Sequence, residues 1–258
     1  MDPAHIASLL APFLAPDSLS GQQLAQVSTY LDLLLKWNAR INLTSVRQPE
    51  EIVTRHFGES FFAARQLCHP ERRAAEPPAV EEPALRCQPK GSLPSGIVIP
   101  SGARPRAAGS AESRDLGFSN LIDLGSGAGF PGLPIKLYAH ALSVTLIESN
   151  QKKATFLREV IRTLTLTSID VFAGRAEHFA GTAAIVTLRA VEKPERALAT
   201  AARLLSPGGR LVLLSGASQA SDVQGFLPGF SWADPVSLPG SSSRIVLVGA
   251  IERQESTK

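Results

Sequence analysis

Apolar residues in the first 67 positions recur at the three- and four-residue spacing of amphipathic helices. They predict one helix over residues 4–14 and a longer one that follows the N-cap Ser20 and ends around 42–44. A third helix is predicted to begin at Pro49, which suits a first helical turn. The apolar positions that define the three helices are Ile6, Leu9, Leu10, Phe13, Leu24, Val27, Leu31, Leu34, Leu35, Ile52, Val53, Phe57, Phe61, Ala64 and Leu67.

From residue 118 onward, short apolar runs alternate with helical patterns. The alternation predicts a parallel, doubly wound sheet and therefore an α/β fold. Residues 215–243 are predicted to be rich in loops, with one more short strand. The predicted strands are 121–124, 144–147, 169–172, 184–188, 210–214 and 243–251, and the predicted helices end near 139 or span 152–164 and 195–205.

Between these two parts, residues 69–117 have a different composition. Eight of the 19 prolines fall in these 49 residues, which carry mixed charges and no amphipathic period. Such a segment cannot bury enough apolar surface to offset the entropy of ordering. We therefore expect three parts, namely an N-terminal helical segment packed on the core (1–68), a proline-rich disordered insertion (69–117) and a cofactor-binding core (118–258).

The composition limits the classes of protein to which the chain can belong. Its 258 residues suffice for a large core, and no run of about 18 apolar residues predicts a membrane span. The N-terminus lacks the pattern of a cleavable leader, so we expect a cytoplasmic protein. Cys68 and Cys87 do not form a metal site with nearby histidines, and no metal is expected. The formal charge of +3 is compatible with nucleic-acid binding but is not diagnostic.

The stretch from Leu121 to Gly132 carries the clearest chemical signal. It reads as a buried strand that contains Asp123, then a glycine-rich turn, then the start of a helix. Glycines let the backbone approach a ligand closely. The next strand ends at Glu148, 23 residues after Gly125, where an acid can hold the hydroxyls of a ribose. The stretch therefore predicts a cofactor that contains adenosine.

Two such cofactors compete. The spacing of Gly127, Gly129 and Gly132 matches G-x-G-x-x-G, which is typical of nicotinamide dinucleotides but weak alone. Asp123 would repel a pyrophosphate and attract the ammonium or sulfonium of S-adenosylmethionine. Pro131 removes an amide that a pyrophosphate could use, and the chain has no second nucleotide-binding half. A methyltransferase is favoured, while an NAD(P)-dependent oxidoreductase and a non-catalytic nucleotide-binding α/β protein stay open.

Several motifs together resemble the glucose-inhibited division protein B family. They are Trp37-Asn38, Ile41-Asn42-Leu43-Thr44-Ser45-Val46, Arg55-His56, the run from Asp123 to Pro134, and Arg189-Ala190. The resemblance covers roughly residues 5–67 and 118–250. It implies a Rossmann-like class I S-adenosylmethionine-dependent methyltransferase with a seven-stranded, mainly parallel sheet and an N-terminal helical extension. It also implies methylation of guanosine N7 in 16S ribosomal RNA, free or in the small ribosomal subunit, by a monomer.

The resemblance implies roles for individual residues as well. Guanine N7 already carries an in-plane lone pair, so no general base is nominated. Arg189, Asn38, Arg55 and His56 would position guanosine or phosphate. The candidates for binding S-adenosylmethionine are Asp123, Gly125, Gly127, Phe130, Glu148, Ala176, Glu177 and Arg189. The candidate cations for the RNA backbone are Lys36, Arg40, Arg47, Arg55, Arg189 and Arg244.

The chain departs from the family pattern in four places. Besides the insertion, Glu59 stands where the family usually has Asp, and Leu188 stands where Ser usually precedes the arginine. Ser215 occupies the position of a usual lysine, which removes an expected RNA contact. We expect these differences to affect RNA affinity more than cofactor binding.

Overall fold

The computed structural model describes residues 1–68, 119–189 and 194–251. The predicted insertion lies outside these residues. The first described part is helical: Ser20 and Gln23 form a reciprocal capping box at the start of the second helix, as the N-cap prediction requires. Its elements are α1 (Pro3–Leu14), α2 (Gly21–Ile41), α3 (Pro49–Ile52), a π-helical segment (Val53–Gly58) and α4 (Glu59–Cys68).

A mostly parallel sheet forms the centre of the molecule. Its strands are β1 (Asn120–Leu124), β2 (Ser143–Glu148), β3 (Ile169–Ala173), β4 (Ala183–Arg189), β5 (Leu205–Gly216), β6 (Phe230–Trp232), β7 (Val236–Ser237) and β8 (Arg244–Ile251). Their order is β3-β2-β1-β4-β5-β8-β6, and β7 pairs with β8. The first five run parallel, and β8 is antiparallel to its neighbours β5, β6 and β7. The predicted α/β class is confirmed, although the described sheet has eight strands because β7 adds a two-residue strand.

Four further helices connect the strands. They are α5 (Gly132–Tyr138), α6 (Gln151–Thr163), α7 (Pro194–Leu204) and α8 (Ala220–Phe226). The first three agree with the predicted pattern, whereas α8 lies in the stretch that was expected to be loop-rich. Only Val223 of α8 is buried, so the helix offers little apolar periodicity to detect from sequence.

Two apolar clusters cover the two faces of the sheet. The larger one joins the N-terminal helices to α5 and α6, and it contains Leu31, Phe57, Val144 and Phe156, all at most 2% exposed. The smaller one packs α7 and α8 against the opposite face around Val186. The N-terminal helices therefore share a core with the sheet. Among the described residues, no helix is both long and apolar enough to span a membrane.

Candidate active site

A cavity of about 640 Å³ opens at the carboxyl ends of four parallel strands. Its walls come from Leu124 and Gly125 after β1, from Ile147 and Ser149 around the end of β2, from Gly174–Glu177 after β3, and from Leu188 and Arg189 at the end of β4, with Arg196, Ala197 and Thr200 of α7. Strand order reverses between β1 and β4, and ligands of open α/β sheets bind at such a switch point. Four predicted cofactor-site residues line this cavity, namely Gly125, Ala176, Glu177 and Arg189.

The glycine turn is held by backbone amides that point at β2. The amides of Gly125 and Ser126 donate to the carbonyl of Ile147 at 2.9 and 3.0 Å. Gly125 has a φ of +71°, and a Cβ there would meet no described atom within 4 Å. The turn therefore leaves open space where the backbone borders the cavity, as close approach to a ligand requires.

Glu148 fastens the other side of this turn. One carboxylate oxygen accepts the amide of Gly127 at 2.8 Å, and the other accepts the amide of Asn150 at 2.7 Å. Glu148 is 7% exposed, and neither Gly127 nor Glu148 is among the described residues that line the cavity. Each carboxylate oxygen keeps a second lone pair. The role of Glu148 in holding a ribose stays a prediction.

Asp123 lies beneath the turn and is not among the described residues that line the cavity. Its predicted attraction of a cofactor cation stays a prediction. Its side chain accepts the Thr187 hydroxyl at 2.7 Å and the Gly132 amide at 3.2 Å. Asp123 is 1% exposed. Burial raises the pKa of Asp123 to about 6, against the lowering effect of these hydrogen bonds. The carboxylate thus joins β1, β4 and the start of α5.

Phe130 also lies away from the predicted position. Its ring stacks on Tyr30 at 5.4 Å between centroids and contacts His56 and Phe57 at 5.0 Å each. It belongs to the buried core between the turn and the N-terminal helices. The Tyr30 hydroxyl donates to the carbonyl of Ala128. A residue of α2 therefore supports the glycine turn from behind, and no local pattern around the turn indicated it.

Asn38 is structural in this conformation. Its side-chain oxygen accepts the amides of Leu43 and Thr44 at 2.7 and 3.0 Å, and the residue is 6% exposed. The predicted role of Asn38 in positioning guanosine or phosphate stays a prediction. Asn38 positions Thr44, whose hydroxyl lies 2.7 Å from His56 Nε2.

His56 lies between the glycine turn and the arginines beside it. Its ring packs on Phe130 of the turn, and the charges of Arg189 and Arg55 act on it. Burial, followed by the positive charges of Arg189 and Arg55, lowers the pKa of His56 to about 3. The imidazole is therefore neutral near pH 7. Its Nδ1 is buried and has no hydrogen-bond partner among the described residues.

Three arginines and two glutamates form what we call the arginine cluster: Glu51, Arg55, Glu59, Arg189 and Arg244. Arg189 donates to Glu59 at 3.0 Å and to the backbone carbonyl of Arg55 at 2.7 Å. Arg244 bonds the other oxygen of Glu59, and Arg55 pairs with Glu51 at 2.7 Å. Glu59 is 2% exposed. Its buried carboxylate thus connects α4 to β4 and β8, a role that the sequence did not reveal.

Arg189 has the strongest indication of a ligand contact. It lines the cavity, its side chain is 16% exposed, and its Nη1 is buried without a hydrogen-bond partner among the described residues. Burial and repulsion from Arg55 lower the pKa of Arg189 to about 10, so it remains charged near pH 7. An unsatisfied buried donor is costly, which favours a ligand that accepts from it.

The other candidate cations divide into two groups. Lys36, Arg40 and Arg47 are exposed, whereas Arg244 is engaged with Glu59. Sequence reasoning missed Arg175 and Arg196, which line the cavity from the β3 loop and the first turn of α7. The available signals were the position of Arg175 just after β3 and that of Arg196 in the first turn of the helix that follows β4. Among the described residues, no group of three or more His, Cys, Asp or Glu side chains could hold a metal ion.

The sheet and its site together define a class of enzyme. The parallel order β3-β2-β1-β4-β5, followed by the inserted antiparallel β8 and by β6, is that of class I S-adenosylmethionine-dependent methyltransferases. The glycine turn, the cavity and the acidic end of β2 lie at the carboxyl ends of the parallel strands, where open α/β sheets bind ligands. The first amide of α5 is occupied by Asp123, so the turn does not offer it to a pyrophosphate.

Comparison with known proteins identifies the family within this class. The sequence model of GidB, described as rRNA small subunit methyltransferase G, matches residues 23–74 and 110–227. The chain therefore belongs to the GidB family, which confirms the resemblance seen in the sequence and decides against the nicotinamide alternative.

Individual relatives agree with this assignment. A protein named ribosomal RNA small subunit methyltransferase G from Xanthomonas campestris pv. campestris (strain B100) is 32% identical over 242 residues, which cover 92% of this chain and 91% of that one. One of the same name from Chloroflexus aggregans is 32% identical and covers 89% and 82%. Among solved structures, a SAM-dependent methyltransferase from Aquifex aeolicus matches 52% of this chain and 82% of its own, with 15% identity and a TM-score of 0.46.

Proposed function

We propose that this protein transfers the methyl group of S-adenosylmethionine to N7 of a guanosine in 16S ribosomal RNA. The observation that carries the proposal is the cavity that has the family's glycine turn on one side and the partly unpartnered guanidinium of Arg189 on the other. The cavity size lies in the range of about 300–1,000 Å³ that is usual for small-molecule sites.

The residues present fit the cofactor. Leu124, Ile147 and Ala176 supply apolar walls for an adenine, and Gly125 leaves room beside the backbone. Glu148 holds the turn and has lone pairs left for ribose hydroxyls. Arg203 fixes the opposite wall, because it donates to the carbonyls of Ala176 and Phe179 at 2.7 and 3.0 Å. When bound, S-adenosylmethionine would supply a methyl group that its positively charged sulfonium activates for transfer.

The protein's part in the reaction is alignment and charge. Guanine N7 needs no deprotonation before attack, so the site requires no general base. Arg189 can donate through Nη1 to an acceptor on the guanosine, such as O6 or a phosphate oxygen. Glu177 lines the cavity, and its carboxylate would stabilise the positive charge that passes to the guanine ring. Holding the acceptor in line accounts for most of the rate enhancement in such a reaction.

We expect exposed positive side chains to hold the RNA. Lys36, Arg40 and Arg47 are exposed on and after α2, and Arg55 is 43% exposed at its side chain. Contacts of this kind bind the phosphate backbone without reading sequence. We further infer that the protein acts as a monomer in the cytoplasm, on ribosomal RNA or the small subunit.

The test is direct. Purified protein is incubated with small ribosomal subunits lacking the modification and with S-adenosylmethionine carrying a deuterated methyl group. Digestion to nucleosides and mass spectrometry should then find labelled 7-methylguanosine in 16S RNA. Label on another nucleoside, or none despite bound cofactor, would overturn the proposal. The Arg189→Ala protein serves as the matched negative control.

A further inference from the structure

A second recess, of about 480 Å³, lies between α1, the π-helical segment and the turn before β8. We call it the flanking groove. Its lining includes apolar side chains, namely Leu9, Pro12 and Phe13 of α1 and Pro239. It also includes two cations, Arg55 and Arg244. Apolar side chains together with two cations match the two parts of a nucleotide, namely its base or sugar and its phosphate.

The flanking groove and the active-site cavity meet at the arginine cluster. Arg55 and Arg244 line the groove, whereas Arg189 lines the cavity. Arg189 donates to the Arg55 carbonyl at 2.7 Å, and Glu59 bonds both Arg189 and Arg244. An RNA strand that places one nucleotide in the cavity can therefore pass along the arginine cluster and place the next nucleotide in the groove.

The charge of the cluster favours an anion. Three arginines face two glutamates, and Arg55 lowers the pKa of both Arg189 and Arg244 through repulsion that adds to the effect of burial. A phosphate between Arg55 and Arg244 would relieve that repulsion. In addition, Arg55 Nε is buried without a hydrogen-bond partner among the described residues.

We propose that the flanking groove binds the nucleotide next to the target guanosine, with its phosphate between Arg55 and Arg244 and its base or sugar against α1. The inference rests on the proposed function and adds α1 to the RNA-binding surface. Because Arg244 also pairs with Glu59, its replacement can disturb the active site. Ser8 offers a cleaner probe, since it is exposed and lines the groove outside the arginine cluster.

The first experiment introduces a negative or a positive charge at the neutral position Ser8. Ser8→Glu should raise the KM for a 16S RNA transcript about two- to fivefold, and Ser8→Lys should lower it, with kcat and the affinity for S-adenosylhomocysteine unchanged. Thr163→Glu and Thr163→Lys, at an exposed position of α6 outside both recesses, are the matched controls. Ser8 variants that behave like the Thr163 variants would overturn the proposal.

The second experiment tests the phosphate contact through the salt dependence of RNA binding. Arg244→Gln should weaken binding of the labelled transcript about tenfold and reduce the slope of log K against log salt by about 0.7. An unchanged slope would contradict the phosphate contact. If the Ser8 variants change the KM for assembled subunits but not for the naked transcript, a ribosomal protein occupies the groove. That result would also overturn the proposal.

Failure of the proposed function can be separated from failure of this inference. If the wild-type protein makes no 7-methylguanosine, the proposed function fails. In that case the fluorescence anisotropy of the labelled transcript still measures how the Ser8 variants bind RNA. Weaker binding by Ser8→Glu supports the groove, and equal binding rejects it.

Discussion

The glycine turn and the arginine cluster adjoin the same cavity, but they are built in different ways. The turn is held by backbone amides from neighbouring positions, such as Gly127 on Glu148, which is 21 residues away. In the arginine cluster, Glu59 bonds Arg189 and Arg244, which lie 130 and 185 residues away. The turn thus depends mainly on contacts within the β1–β2 region, with Tyr30 of α2 as a distant support, whereas the cluster exists only after three distant elements have packed together.

This difference separates their expected roles. A turn made of backbone contacts presents a fixed shape, which suits a cofactor that is the same in every reaction cycle. Charged side chains that share one carboxylate can exchange partners when an anionic polymer arrives. We therefore assign the turn to the cofactor and the cluster to the RNA, and the following variants test that assignment.

Arg189→Ala should have the largest effect. Methyl transfer to RNA should fall about 10²- to 10³-fold, because the site loses its buried donor, while S-adenosylhomocysteine binding remains near wild type. The free energy of unfolding should fall by only about 1–3 kcal/mol, since Glu59 keeps its bond to Arg244. Single-turnover transfer, calorimetric binding and denaturant unfolding measure the three quantities.

The control for Arg189 is Arg162→Ala, at an exposed position near the end of α6. It should leave all three quantities unchanged. Near wild-type transfer by Arg189→Ala would remove this residue from the site. Equal losses of transfer and cofactor affinity would instead break the division between turn and cluster.

Gly129→Ala should damage the turn. Gly129 has a φ of +92°, and an added Cβ would collide with Tyr30 and Leu133 and lie 3.1 Å from Leu157. We expect a loss of about 2–4 kcal/mol in the free energy of unfolding and weaker binding of S-adenosylhomocysteine. Chemical denaturation and calorimetry measure both effects.

Gly21 provides the matched control. It lies at the start of α2, and a Cβ there meets no described atom within 4 Å. Gly21→Ala should therefore leave cofactor binding intact and change stability by at most about 1 kcal/mol, in the stabilising direction. A Gly129→Ala protein as stable as Gly21→Ala would show that Tyr30 does not support the turn.

The turn could be predicted from sequence because its signal is contiguous. Strand, acid, glycines and helix start stand in order, and the structure forms them in that order. The detailed roles were less accessible. Asp123 and Phe130 follow the motif but point into the interior, because α5 and the N-terminal helices bury them. Which side of a turn a side chain occupies depends on what packs behind it.

The arginine cluster could be predicted from the sequence only in part. Arg55, Arg189 and Arg244 were each recognised as candidate cations, but Glu59, the common partner of Arg189 and Arg244, was seen only as a departure from a family pattern. Tyr30 was invisible as a support of the turn, because its partner Ala128 is 98 residues away. Sequence spacing predicts contacts along one element, whereas these contacts depend on how elements pack against each other.

A smaller effect is expected at His56, which joins the two regions. Its folded pKa of about 3 lies below the unfolded value of about 6.5. Between these values the unfolded chain binds the extra proton, so stability is lost as pH falls through about 6.5. Acidification from pH 7 to 5 should therefore cost the wild type about 1–2 kcal/mol more than it costs His56→Gln.

Denaturant unfolding of both proteins at pH 7 and pH 5 gives the stability that each loses on acidification, and the difference between the two losses is the quantity compared. Loss of the ring lowers stability equally at both pH values and drops out of the comparison. Asp123 contributes with the opposite sign, because its raised pKa of about 6 makes the folded state bind a proton more readily. It is present in both proteins and also cancels. Identical pH dependence would show that His56 is not buried as a neutral group.

The smallest effect is expected for the proline-rich segment, residues 69–117. Replacing residues 72–114 with a short flexible linker should leave methyl transfer within about twofold of the wild type, because the segment has no amphipathic pattern or ligand cluster. The comparison uses kcat, KM for RNA and thermal stability. A matched insertion of the same linker without the deletion controls for the new sequence. A loss of transfer with an intact fold would mean that a third region, outside both turn and cluster, contributes to catalysis.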